Sequence, residues 1–208
     1  CGVQLGDNLW ELYCNEQSID PNGKLIYEKY FFNDPFFSET KSGKYIPRAL
    51  FVDLDAESID NIRTGRRKNL YNSDQFISYN EDASKNYACG YYTTGPHLIE
   101  RTLEGIRKLA NQCSNLQGFM IFHSLGGGTG SGFSSLLFDR LNSEYPKASK
   151  FNFAIFPSEI GCSSNYEIYN TALSVHSIDD QMKCCFSFDN KSLYDISKRL
   201  LDVSNPSF

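Results

Sequence analysis

Gly126-Gly127-Gly128-Thr129-Gly130-Ser131-Gly132 is the stretch that decides the fold of this chain. It follows an apolar run, Phe119 to Phe122, and precedes apolar residues at helical spacing, Leu136 to Leu141. The pattern predicts a strand, a glycine-rich turn and a helix. Glycine permits φ > 0 and a close approach of the backbone to a ligand, and the first turn of a helix carries unpaired N–H groups and partial positive charge. We therefore predict an anion site for a phosphate group, with the hydroxyls of Thr129 and Ser131 as further donors.

Two familiar phosphate motifs do not fit this stretch. Gly127 and Gly132 have the spacing of a P-loop, but Phe133 stands where that motif has its lysine. A dinucleotide fingerprint that starts at Gly126 ends on Ser131 instead of glycine or alanine. We therefore expect backbone amides and hydroxyls to hold the phosphates, and we disfavour a nicotinamide-dependent oxidoreductase.

Length and composition are those of an ordinary globular domain. The chain has 208 residues, of which 40% are hydrophobic and 22% charged, and a formal charge of −5, so it is long enough to bury one core. The negative charge argues against a general nucleic-acid-binding protein. The basic cluster at residues 63–68 is interpreted as a solvated surface. Since no apolar run approaches ~18 residues, we expect no membrane span.

The cysteines indicate a reducing environment. All seven lack Cys-x-x-Cys spacing, and several lie in apolar runs. This arrangement matches neither a zinc site nor a redox motif, and a free thiol in such a run behaves as a small hydrophobe. We therefore expect a reducing compartment.

Predicted strands alternate with predicted helices along the chain. Strands are predicted at 49–52, 117–124, 151–156 and 184–188, and helices at 3–17, before Ile62, at 96–110, after the glycine turn to Glu144, at 167–178 and after Asn190. The aromatic stretch that ends near Pro47 is predicted to be a loop. The alternation predicts an α/β fold, a Rossmann-like and mostly parallel sheet with helices on both faces. We expect a single domain over residues 1–208, incomplete at both ends.

Polar residues follow four of the predicted strands, where ligands of such sheets bind. They are Asp53-Leu54-Asp55, the glycine turn, Pro157-Ser158 and Asp189-Asn190. Asp53 and Asp55 either serve a metal or phosphate site, or Asp55 only caps the next helix. Asn190 caps a helix, contacts the edge of a base, or does both. His123, on an apolar strand, is interpreted as a hydrogen-bonded core histidine.

The glycine stretch as a whole resembles the signature loop of the tubulin family. The resemblance covers nearly the full chain, which is similar to the N-terminal nucleotide-binding half of a divergent alpha subunit. The segments that carry it are Trp10 to Cys14, Pro47 to Asp53, Arg63 to Gly65, Glu81 to Ala83, Arg107 to Ala110 and Leu116 to Phe119. The resemblance implies that the first strand of the fold is absent from this sequence.

The family's nucleotide contacts carry over to individual residues. Cys1 and Gln4 match positions near the nucleotide at the start of the first helix. Asp53 matches an acidic site residue. Asp55 matches the glutamate that reaches Mg²⁺ and the γ-phosphate, and its shorter side chain implies contact through water.

The remaining matches surround the phosphates, the sugar and the base. Asp82, Ala83 and Ser84 match the loop over the phosphates, with Lys85 in place of the family's asparagine. The phosphate loop itself is matched by Ser124, Gly126, Gly127, Gly128, Thr129 and Gly130. Ser163 and Glu167 match residues near the sugar. Asn190 matches the asparagine that reads guanine, and Phe208 matches the tyrosine that stacks on the base, without its hydroxyl.

The resemblance implies a structural subunit of microtubules that binds GTP and Mg²⁺ at an alpha–beta contact and polymerises with beta-tubulin. It also implies a cytoskeletal location in the cytoplasm, with motors and microtubule-associated proteins as further partners. Tubulins belong to the GTPases, but the family's catalytic acidic residue lies outside this sequence, so we expect negligible turnover by this chain alone. The alternative is a non-polymerising alpha-tubulin-like nucleotide-binding protein. Lys85, Asp55, Phe208 and a shortened loop before Phe36 motivate it.

Overall fold

A computed structural model of the chain describes residues 2–27, 35–158 and 164–203. These residues belong to two units, the first made of Cys1–Glu81 and Leu98–Asn115 and the second of Asp82–His97 and Leu116–Phe208.

Among its described residues, the first unit contains three α-helices, a short 3₁₀ helix (Ser73–Gln75) and two small sheets. The helices are α1 (Gly2–Gln17), α2 (Ala56–Arg63) and α3 (Gly95–Asn111), which enters this unit at Leu98. Strands β1 (Phe37–Glu39) and β2 (Tyr45–Pro47) form an antiparallel hairpin, and β3 (Phe51–Asp53) pairs in parallel with β4 (Phe76–Ser78). The hairpin corrects the prediction of a loop before Pro47, because two strands of three residues are too short to show an alternating pattern.

Apolar side chains from these elements form the core of the first unit. Trp10 of α1 packs edge to face against Phe37 of β1, with ring centroids 5.3 Å apart. Phe51 of β3 stacks on Phe76 of β4 at 5.5 Å. Burial raises the pKa of the Cys14 thiol to about 11, so this cysteine is a core residue and not a reactive group.

The second unit contains a three-stranded parallel sheet. Its strands are β5 (Gly118–Ser124), β6 (Ser149–Phe156) and β7 (Cys184–Asp189), paired in the order β5-β6-β7. Its helices are α4 (Ser134–Glu144), α5 (Tyr166–Ile178) and α6 (Asn190–Leu200). The parallel strands and the alternation of strands with helices confirm the predicted α/β class.

Alternation along β6 separates the two faces of this sheet. Lys150, Asn152 and Ala154 are buried, whereas Phe153, on the other face, stacks between two aromatic neighbours. The register pairs Ser124 with Ile155 and Phe156 with Asp189. The carboxyl ends of all three strands therefore lie along one edge, from which the glycine turn and Asn190 continue.

An ion-pair cluster fixes α1 in the first unit. Arg67 donates hydrogen bonds to both carboxylate oxygens of Asp7, at 3.0 and 2.5 Å, and to Glu11 at 2.6 Å. Tyr71 donates to the same Asp7 carboxylate at 2.8 Å. The Arg67 side chain is only 12% exposed, so the expectation of a solvated basic surface is wrong for this residue.

None of the helices in the described ranges is long and apolar enough to cross a membrane.

Replacing Arg67 with methionine is expected to lower the free energy of unfolding by about 2–4 kcal/mol, since it leaves the Asp7 carboxylate without its charged partner in a poorly solvated position. The matched control is Lys108→Met, because Lys108 pairs with Glu104 at 3.3 Å on an exposed helix surface. That pair is expected to contribute less than about 1 kcal/mol. Urea unfolding measures both, and equal losses in the two variants would contradict the structural role of Arg67.

Candidate functional site

The glycine stretch is a short turn that becomes helical sooner than the sequence indicates. Residues Thr129–Phe133 form a π-helical turn that runs directly into α4. Gly128, at φ −65° and ψ −40°, is the residue before this turn. The N–H groups of the first helical turn have no partner within the helix, so the stretch presents the donors that the sequence predicts for an anion.

The sequence predicts that the glycines of this turn serve positive φ and a close approach of the backbone, and the first of these two reasons is wrong. Among the described glycines only Gly23 and Gly43 have positive φ, so no glycine of this turn needs the left-handed conformation. Close packing explains them instead. A Cβ on Gly128 would lie 2.6 Å from the backbone nitrogen of Asn86, and one on Gly130 would collide with the Ser124 carbonyl.

Gly127 differs from its neighbours. A Cβ placed on it would have no heavy atom within 4 Å, and the residue is exposed whereas Gly126 and Gly128 are buried. The turn therefore opens to solvent at Gly127 and is packed against protein at the positions on either side.

The two hydroxyls of the stretch differ in their availability. Ser131 is fully buried and its Oγ donates to the Gly127 carbonyl at 2.6 Å. The prediction that this hydroxyl serves a ligand is therefore wrong, and it stabilises the turn instead. Thr129 is half-buried and remains a candidate donor.

A second loop, Asp82 to Asn86, packs against the turn. Ser84 and Lys85 adopt left-handed backbone conformations, with φ of 48° and 57°, and the Asp82 carboxylate accepts a hydrogen bond from the Ser84 N–H. Ala83 is buried beneath the loop. Asp82, Ser84 and Lys85 are exposed, and the Lys85 ammonium lies 6.0 Å from the centroid of the Tyr166 ring.

Asn170 of α5 ties the loop and the turn together. Its Nδ2 donates to the carbonyls of Lys85 and Gly126, each at 2.8 Å, and its Oδ1 accepts from the Tyr87 N–H at 3.0 Å. Asn170 is only 4% exposed. Asn170 is not predicted from the sequence. The one signal available is its place inside a helix, where asparagine is unfavourable unless its amide has a specific partner.

Other predicted residues of the second unit lie on the same elements. Ser124 ends β5 and its carbonyl faces Gly130. Glu167 lies beside the turn, since its carboxylate oxygen would be 3.4 Å from a Cβ on Gly126. The structure thus brings Ser124, Glu167, the glycine turn and the 82–86 loop together.

Asn190 is the first residue of α6, directly after β7. The predicted capping role belongs to Asp189, whose carboxylate accepts from the N–H groups of Lys191 and Ser192 at 3.1 and 3.3 Å. These bonds and one from the Ser192 hydroxyl lower the pKa of Asp189. The half-buried Asn190 is therefore not the cap, and its contact with a base stays a prediction.

The remaining predicted residues that the structure describes belong to the first unit. Gln4 is exposed on the first turn of α1. Asp53 ends β3, and burial raises its pKa. Asp55 caps α2, since its carboxylate accepts from the Glu57 N–H at 3.1 Å and from the Ser58 hydroxyl at 3.0 Å. Capping by Asp55 is thus confirmed, and its role toward a metal stays a prediction.

Cys1, Ser163 and Phe208 lie outside the described residues.

Within the ranges 2–27, 35–158 and 164–203, no group of three or more His, Cys, Asp or Glu side chains is arranged to hold a metal ion. Mg²⁺ commonly takes one or two carboxylates and completes its shell with phosphate oxygens and water. Asp53 and Asp55 are carboxylates of the kind that can contribute to the shell of a Mg²⁺ ion carried by a nucleotide.

Comparison with known proteins agrees with this geometry. Residues 1–198 match the model of the Tubulin/FtsZ family GTPase domain. The chain is 47% identical over 213 aligned residues to the tubulin alpha-2B chain of Physarum polycephalum, and 49% identical over 212 to the tubulin alpha-2 chain of Homarus americanus. Each alignment covers 100% of this chain and 47% of the relative, so the chain spans about half the length of these proteins.

Substitution by alanine is expected to lower the stability of the fold at Gly128 but not at Gly127. Gly128→Ala forces a Cβ against the Asn86 backbone and is expected to lower the free energy of unfolding by about 1–3 kcal/mol. Gly127→Ala meets only solvent and is expected to change it by less than about 0.5 kcal/mol. Chemical denaturation measures both, and similar losses in the two variants would contradict the packing described for the turn.

Asn170→Asp is expected to lower the free energy of unfolding by about 3 kcal/mol or more, because it removes two donors and leaves a carboxylate facing two carbonyl oxygens. The control is Asn165→Asp, which adds the same charge at an exposed position before α5 where asparagine makes no side-chain cap. Thermal unfolding compares the variants. A control as unstable as Asn170→Asp would show that added charge, and not the lost hydrogen bonds, causes the effect.

Proposed function

The chain belongs to the Tubulin/FtsZ family, and from this premise we propose that it binds GTP with the phosphates on its glycine turn. The observation that carries the proposal is the open space at Gly127, between two buried glycines at the start of a helix. A triphosphate is the ligand for which such a turn is suited, because its charge is stabilised by N–H groups and by the helix dipole without a lysine from a P-loop.

The exposed part of the 82–86 loop would contribute to the same phosphates. Asp82, Ser84 and Lys85 are exposed there. The loop lies next to the glycine turn because the Asn170 Nδ2 donates hydrogen bonds to both the Lys85 and the Gly126 carbonyl. Lys85 brings a positive charge to this position, which favours an anionic ligand. Thr129 and Ser124 add hydroxyl donors at the start of the helix and the end of β5.

We propose that Asn190 selects the base and that Glu167 contacts the sugar. Asn190 follows β7, two strands from β5 in the sheet, so the ends of these strands are about 10 Å apart. A nucleoside triphosphate is long enough to bridge that distance. An amide presents both a donor and an acceptor, and guanine carries the matching pair of groups on one edge.

Mg²⁺ is proposed as the companion of the bound GTP, with Asp55 supplying a carboxylate oxygen directly or through water. Each Asp55 oxygen that accepts a capping bond keeps a second lone-pair direction, so capping and metal binding are compatible. The ion, when bound, would neutralise phosphate charge. Removing Mg²⁺ from the solution is therefore expected to weaken GTP binding.

At the level of the whole protein, we propose an alpha-type subunit that pairs with beta-tubulin in microtubules of the cytoplasmic cytoskeleton. The support is the similarity to two alpha chains over the full length of this sequence. Co-sedimentation of the full chain with microtubules separates this proposal from a nucleotide-binding relative that does not polymerise.

Isothermal titration of the full chain is expected to give GTP binding that is at least about 100-fold tighter than ATP binding, since a site built to hydrogen-bond one base rejects the other. Gly127→Val is expected to weaken GTP binding by at least about 10-fold, because a branched side chain occupies the space for a phosphate and starts from a Cβ that has no heavy atom within 4 Å.

The thermal unfolding midpoint of Gly127→Val is the control for this experiment and should match that of the unchanged chain. Equal affinity for the two nucleotides would contradict the role of Asn190. Unchanged GTP affinity in a folded Gly127→Val variant would contradict the phosphate position.

A further inference from the structure

A chain of hydrogen bonds leads from the exposed Cys185 of β7 through buried side chains of β6 and β5 to the glycine turn. His123 of β5 is 4% exposed, and its two ring nitrogens face the Gly130 carbonyl and, at 2.7 Å, the Asn152 carboxamide. Asn152 of β6 is 2% exposed, and the other end of its carboxamide faces the Cys185 Sγ of β7 at 3.6 Å.

The partners of His123 determine where its proton lies. A backbone carbonyl can only accept a hydrogen bond, so Nδ1, which faces Gly130, must carry the hydrogen. Burial lowers the pKa of His123, which favours the neutral imidazole, and a neutral ring that carries its hydrogen on Nδ1 has a bare Nε2. A bare Nε2 requires a donor.

The structure places the Asn152 oxygen against Nε2 and the Asn152 nitrogen against Cys185. Asn152 supplies the donor when these two ends of its carboxamide are exchanged, so that the nitrogen faces Nε2. The two ends of a carboxamide are nearly identical in shape and are assigned by their partners. In this orientation the Asn152 oxygen faces Cys185, whose S–H can donate to it. All three hydrogen bonds then run in one direction, from Cys185 to Asn152, from Asn152 to His123 and from His123 to Gly130.

The hydrogen bond from His123 to Gly130 holds a peptide group of the glycine turn, where we propose that phosphate binds. Gly130 lies so close to the end of β5 that a Cβ would collide with the Ser124 carbonyl. The carbonyl of the same glycine receives the His123 hydrogen bond. His123 thereby fixes the orientation of a peptide group two residues after Gly128, at the start of the helix whose N–H groups face the ligand.

We propose that His123, as the neutral imidazole with its hydrogen on Nδ1, is a positioning residue that holds the glycine turn in the geometry that binds phosphate, and that Asn152 fixes its protonation. This inference rests on the proposed function, since it assigns a role toward the same nucleotide.

Two substitutions separate the roles of the ring nitrogens. The side-chain amide of His123→Asn can overlay Nδ1 and keep the donor to Gly130. The longer side chain of His123→Gln overlays Nε2, so it keeps the contact with Asn152 and loses the one with Gly130. Titration with GTP and Mg²⁺ is expected to give an affinity within about 3-fold of the unchanged chain for His123→Asn, and a loss of at least about 10-fold for His123→Gln.

The second measurement is nitrogen NMR of ¹⁵N-histidine in the unchanged chain, which reports directly which ring nitrogen carries the hydrogen. The chain has three histidines, and the His123→Asn spectrum identifies the His123 signals. A protonated Nδ1 and a bare Nε2 are expected at neutral pH. A protonated Nε2, or equal GTP affinities in the two variants, would overturn the positioning role while leaving GTP binding intact, whereas an unchanged chain that does not bind GTP would overturn the proposed function as well.

Discussion

The Asn170 carboxamide is the interaction on which the candidate site depends. It satisfies two carbonyls and one N–H from separate segments; the bonds with Tyr87 and Gly126 are buried, and the bond with Lys85 is partly buried. A buried polar group without a partner costs about 1–3 kcal/mol, so the loss of this one side chain would leave several such groups at once. The amide therefore determines the relative position of the 82–86 loop, the glycine turn and α5.

The glycine stretch acquires its shape from packing around this amide. Gly128 and Gly130 are glycines because a neighbouring backbone occupies the space of a side chain, and Ser131 turns its hydroxyl inward to the Gly127 carbonyl. What remains exposed is one residue, Gly127, at the start of a helix. A rigid turn with a single open position suits recognition of an anion, because the donors are already oriented before the ligand arrives.

The sequence predicts the order of the elements well because the apolar periodicity of the helices and the longer strands is strong. It fails for the hairpin of β1 and β2, where each strand has three residues, and for the π-helical turn, which has no distinct residue pattern.

The anion site is predicted from the glycine content, but positive φ is the wrong reason for these glycines. They are required by close packing of the backbone against a segment that is far away in sequence, which the sequence does not reveal. Asn170 escapes prediction for the same reason. Its three partners lie 44 to 85 residues away along the chain. By contrast, capping by Asp55 depends only on the next few residues and is predicted correctly.

Selective ¹⁵N labelling of glycine, followed by NMR titration with GTP and Mg²⁺, tests the central claim most directly. The chain has 15 glycines, and each contributes one backbone amide signal. If the open turn holds the phosphates, the Gly127 amide and those of the adjacent glycines shift most strongly, while Gly43 and Gly65 of the first unit stay in place. Saturating GTP binding that leaves the Gly127 signal unmoved and shifts glycines elsewhere would contradict the account.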